Sequence, residues 1–77
     1  MNKARWSHSY TQFICHVDVY ELDVPYQGQS TIEISYSPIA CETMAFPKNG
    51  NFDNPPMEMK GHCPNAMLES MGYTIHD

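Results

Sequence analysis

The alternation of apolar and polar positions predicts strands through the first half of the chain. Trp6, His8 and Tyr10 alternate with Ser7, Ser9 and Thr11, a strand period. Residues 13–24 form the clearest run: Phe13, Cys15, Val17 and Val19 share one face, and His16 and Asp18 lie opposite. After Tyr20 the phase slips, so that Leu22 and Val24 alternate with Glu21 and Asp23. A one-residue slip sends side chains to the wrong face, and a β-bulge near Tyr20–Glu21 is expected to correct it. The competing arrangement is a strand buried on both sides, which the acids on it disfavour.

Pro25-Tyr26-Gln27-Gly28 supplies turn chemistry, because Pro presets φ and Gly permits positive φ. Ile32, Ile34 and Tyr36 then alternate with Thr31, Glu33, Ser35 and Ser37, the pattern of a half-buried antiparallel strand. Pro38 ends that strand. Residues 40–56 read as irregular, with an Asn49-Gly50 hairpin signal between Phe46 and Phe52 and a loop over Asp53-Asn54-Pro55-Pro56. Met57-Glu58-Met59-Lys60 alternates as a short strand would. Pro64 suits the first position of a helix and Gly72 the position just past its end, with Met67, Leu68 and Met71 as the apolar face. Tyr73-Thr74-Ile75 suits a last strand. The expectation is an α+β, mostly β domain spanning residues 1–77. A small antiparallel sheet is built on a long hairpin over about residues 13–37, with one short C-terminal helix over about residues 64–71. Residues 1–5, holding Lys3 and Arg5, read as a loose terminus.

Composition limits how such a domain is held together. Only 13 of the 77 residues are Val, Ile, Leu or Phe, whereas six are Met and five are Tyr. The core must therefore use flexible and amphipathic side chains. No apolar run reaches the length of a membrane span or resembles a signal peptide. Three cysteines cannot form a complete disulfide set, so a cytoplasmic protein with reduced thiols is expected. No cofactor motif is present.

Candidate chemistry is sparse. Zinc usually takes four ligands, and no Cys-x-x-Cys pair exists. Cys15, Cys41 and Cys63 with one histidine, such as His62, form the available combination for a zinc-stabilised module. Free thiols acting as small apolar groups explain the cysteines more simply. Cys63 precedes Pro64 at the expected helix start, where a thiol pKa falls, but no resolving cysteine lies near it. Glu21 and Asp23 are paired carboxylates about 7 Å apart on a regular strand, a spacing more common on solvated surfaces than in glycosidases.

Charge order is more informative than charge total. The formal net charge is -5, and the stretch from Trp6 to Pro47 contains no Lys or Arg. Within it lie Asp18, Glu21, Asp23, Glu33 and Glu42. Four of these belong to the expected hairpin and are expected to converge on one surface. Like charges across a sheet repel, so the arrangement suits a basic partner. It argues against direct nucleic-acid or membrane binding. The resulting expectation is a non-enzymatic acidic binding protein that blocks the basic, nucleic-acid-binding surface of a larger protein or complex. A small acidic chain suits a phage-encoded or mobile-element inhibitor of a host defence system. Asp18, Glu21, Asp23 and Glu33 are expected to supply the field, with Tyr20 and Tyr26 as contact anchors. A homodimer that completes its thin core across a two-fold axis or an edge strand is the other arrangement the composition allows.

Overall fold

The computed structural model describes residues 2–48 and 58–76. The elements are β1 (Asn2–Gln12), β2 (Cys15–Tyr26), β3 (Gln29–Ser37), β4 (Glu42–Pro47), β5 (Glu58–Lys60), α1 (Pro64–Ser70) and β6 (Tyr73–Ile75). The strands form one sheet in the order β5-β4-β3-β2-β1-β6. Five of them meet their neighbours antiparallel, but β6 runs parallel to β1, so the sheet is mixed rather than antiparallel. The signals at Asn49-Gly50 and Asp53–Pro56 lie outside the described residues.

The hairpin is shorter than residues 13–37 and begins at Cys15. Phe13 and Ile14 instead form the turn between β1 and β2, with Gln12 opposite Cys15. The β2–β3 turn is Gln27-Gly28, and both residues have positive φ (48° and 81°). That is the type I′ form, whose twist matches that of the flanking strands.

The irregularity expected near Tyr20–Glu21 falls on either side of those residues and does not interrupt β2 between them. Strand β2 pairs regularly with β1 from Leu22 to Tyr20, and the irregularity falls in β1, between Trp6 and His8. A second irregularity lies beyond Glu21, between β2 and β3. The central part of β2 is buried on both faces, Val17 and Val19 on one and Tyr20 and Leu22 on the other. Both phases of its apolar pattern from Val17 to Leu22 are therefore satisfied by burial on the two faces of the strand.

One face carries the main core: Ala4, Tyr20, Leu22, Ile32, Ile34, Ala45 and Tyr73 beneath Met67, Leu68 and Met71 of α1. Ala4 is fully buried and pairs with Ile75, so residues 2–5 are the start of β1 and not a loose terminus. Lys3 and Arg5 conceal this in the sequence, because they flank the one apolar position that enters the core. Strand β4 replaces part of the irregular region expected over residues 40–56; Thr43 and Ala45 face the core, and Met44 and Phe46 face away.

Helix α1 matches its sequence signals. Pro64 opens it, Met71 caps it, and Gly72 follows at φ +99° with its N–H donating to the Glu69 carbonyl at 3.0 Å. The helix is tied to β4 through a buried hydroxyl. Thr43 Oγ1 donates to the Gly61 carbonyl at 2.6 Å and accepts from the Cys63 N–H at 3.1 Å.

Candidate functional site

Residues paired across a ladder point to the same side of the sheet. The registers therefore divide the side chains into a helix face and an opposite face, on which no other described element packs. Across that second face one row contains His8, Val19, Glu33 and Phe46. The next row towards the β2–β3 turn holds Arg5, Glu21 and Thr31. The row on the other side holds Tyr10, Val17, Ser35, Met44 and Glu58. Val17 and Val19 are buried, while Tyr10, Phe46 and Met44 surround them with partly exposed apolar surface.

Glu33 lies at the centre of this face. Its carboxylate accepts a hydrogen bond from the Tyr10 hydroxyl at 2.9 Å, and His8 stacks on Tyr10 with ring centroids 6.4 Å apart. Partial burial, followed by the Glu33 hydrogen bond and charge, raises the Tyr10 phenol above its usual pKa. Burial also raises Tyr20 and Tyr73, with nearby Asp18 and Asp23 respectively adding to the effect. A phenol raised in the folded state favours folding below the unfolded value near 10, and loses that contribution as pH rises through the folded value. Stability is thus expected to fall as pH passes 10. In the Glu33→Gln variant Tyr10 is expected to ionise at lower pH, as followed by phenolate absorbance.

The acids do not all converge. Glu21 and Glu33 are diagonal neighbours on the second face. Strand alternation puts Asp23 on the side of Glu21, at the sheet's end, where it accepts a hydrogen bond from the Lys3 backbone N–H at 2.8 Å. Asp18 lies on the opposite, helix face, paired with Ile34. Nor is the region free of bases in space. Arg5 is the register partner of Glu21. Lys3, Arg5, Glu21, Leu22, Asp23 and His76 line a cleft of about 260 Å³. Glu42 is paired with Lys60. Among the described residues Glu33 has no Lys or Arg in its row.

Tyr20, expected as a contact anchor, is 5% exposed and belongs to the core. It pairs with Ile32, and burial of that position is what the phase change in β2 accomplishes. Tyr26 is half-buried and packs edge-on against Tyr73, with centroids 6.4 Å apart. The aromatic groups on the second face are instead Tyr10 and Phe46. Phe46 was legible only through the alternation of β4, which the small residues Thr43 and Ala45 obscure.

A second polar group lies at one end of the helix face. Trp6 Nε1 donates to Ser9 Oγ at 3.0 Å, the Ser9 hydroxyl donates to the Asp18 carboxylate, and His16 Nε2 lies 3.1 Å from the same carboxylate. His62 tilts against Tyr36 and meets the edge of His16, at centroid distances of 4.7 and 6.2 Å. Ser9 faces the carboxylate rather than an imidazole, so these groups are not in the order that activates a serine nucleophile.

The zinc candidates are not brought together. No group of three or more His, Cys, Asp or Glu among the described residues could hold a metal ion. Cys15, Cys41 and Cys63 are free thiols. Cys41 Sγ donates to the Pro38 carbonyl, while Cys63 Sγ donates to the carbonyls of Lys60 and Gly61. Cys63 is partly buried at the position just before α1. No described helix is long and apolar enough to cross a membrane. The structure is a small mixed-sheet domain with one short helix. Comparison with family models, curated proteins and solved structures gave no match.

Proposed function

We propose that this is a non-enzymatic binding protein that covers a basic, nucleic-acid-binding surface of a larger protein or complex. The observation that carries the reading is the placement of Glu33 at the centre of a sheet face, bonded to Tyr10 and flanked by Phe46. A carboxylate held among aromatic side chains offers a charge and apolar contact area at once, the combination that basic interfaces favour. Glu21 extends the acidic area diagonally, with Asp23 beyond it. Asp18 serves the opposite side. The face spans a few strands, so it suits local obstruction of a groove rather than imitation of a long duplex. A small acidic blocker of this kind fits an inhibitor carried by a phage or mobile element and directed at a host defence complex, acting in the cytoplasm.

The test is affinity capture from the native host, using wild type beside Glu33→Lys and the Glu21→Lys, Asp23→Lys double variant. The expected result is recovery of a basic nucleic-acid-binding protein by wild type, reduced by both changes while the variants stay folded. Equal recovery by all three chains would contradict the reading.

A further inference from the structure

Among the described residues, strand β1 has a long edge with no neighbouring strand. On its outer side β6 covers only Asn2 to Ala4, where the His76 N–H closes the ladder on the Ala4 carbonyl at 2.8 Å. From Arg5 to Gln12 no described strand lies beside it. Eight residues present about 26 Å of backbone edge. Natural sheets block such edges with lysine, proline or charged side chains. Between Trp6 and Gln12 this edge has no Lys, Arg, Pro, Asp or Glu, and only the irregularity between Trp6 and His8 interrupts it.

The same strand ends in a strained and exposed turn. Phe13 has φ +56° and is 91% exposed, and it occupies the first central position of a two-residue turn. Glycine is the favoured residue at such a position, and a bulky side chain there costs about 1–2 kcal/mol. Burial against a partner offers a compensating gain.

We propose that this edge seats a second copy of the chain, with the two β1 strands antiparallel about a two-fold axis near Ser9. That arrangement sets residue 13 of one copy beside residue 5 of the other. Phe13 of each copy then meets the cleft lined by Lys3, Arg5, Glu21, Leu22, Asp23 and His76 of its partner. The cleft is open to solvent and has a volume of about 260 Å³. The cleft is of mixed charge, with Lys3 and Arg5 beside Glu21 and Asp23, and Leu22 and the aliphatic stems of Lys3 and Arg5 offer the ring apolar contact. The charges are compatible as well, because no carboxylate lies on the paired edges and the two Arg5 side chains fall at opposite ends of the seam. Trp6, 52% exposed beside the irregularity, lies along the same edge. The interface uses the edge of the sheet and the cleft beside Glu21 and Asp23, so it borders the binding surface proposed above; self-association is read without any partner, so its failure is distinguishable from failure of that function.

The test is sedimentation equilibrium of wild type, Phe13→Gly and Thr11→Lys from low micromolar to submillimolar concentration. Thermal melts monitored by circular dichroism check folding. Phe13→Gly suits the turn and removes the inserted ring; Thr11→Lys places an ammonium on the open edge. The expected result is a reversible wild-type dimer whose dissociation constant rises at least about tenfold in each variant, with both variants folded. A wild-type chain that stays monomeric throughout overturns the proposal. So does a dimer that both variants leave unchanged.

Discussion

Leu68→Ala is expected to bring the protein to the edge of unfolding at physiological temperature. Leu68 is fully buried between α1 and the sheet. Truncating such a residue costs about 2–5 kcal/mol, through lost burial and the cavity left behind. A domain of this length has about 4–12 kcal/mol in total. The helix has little stability of its own with which to resist the change. It spans seven residues, has no side-chain cap, and lacks acids in its first turn and bases in its last. Isolated helices of that length do not persist in water, so α1 exists because Met67, Leu68 and Met71 bury their side chains against the sheet. Urea denaturation of the variant should show a midpoint well below wild type. Glu69→Ala, on the exposed side of the same helix, should remain within about 0.5 kcal/mol. Equal effects at the two positions would mean that the helix does not pack as described.

Thr43→Val is expected to destabilise by a comparable amount for a different reason. The substitution keeps the side chain's shape, so it creates little cavity. It removes a fully buried hydroxyl that satisfies both the Gly61 carbonyl and the Cys63 N–H. Each buried polar group left without a partner costs about 1–3 kcal/mol. The segment that enters α1 would lose its anchor on β4. Thr43→Ser retains the hydroxyl and loses only a methyl group, so it should be clearly milder. Denaturation of the three proteins under identical conditions distinguishes the hydroxyl from the methyl contribution. A valine variant as stable as wild type would assign the anchoring to apolar contact alone.

The parts of this fold that were legible in the sequence are those set by local chemistry. Pro64 and Gly72 bracket the helix, Gln27-Gly28 makes the turn, and the alternation around Ile32 and Ile34 marks β3. What escaped depends on distant segments. Nothing near Tyr73–Ile75 indicates that it pairs parallel to the first strand. Ala4 gives no strand signal between Lys3 and Arg5, although its methyl group fills the core. In β2 the phase change after Tyr20 fits either a bulge or burial on both sides, and only the neighbouring side chains decide between them. The candidate site divides in the same way. The run of acids without a base is a sequence property, and it does place Glu21 and Glu33 on one face. The arrival of Lys3 and Arg5 beside Glu21 and Asp23 is a consequence of β1–β2 pairing, and it shifts the weight of the acidic field towards Glu33.

That shift identifies the most direct measurement. The association rate of the captured partner, followed over a range of ionic strength, reports whether the charge on this face guides binding. The proposed function predicts that wild-type association slows steeply with added salt. Glu33→Lys should bind more slowly at low salt and with a flatter salt dependence, whereas Asp18→Lys, on the opposite face, should behave nearly as wild type. Association indifferent to salt and to Glu33→Lys would contradict the assignment of this face as the binding surface.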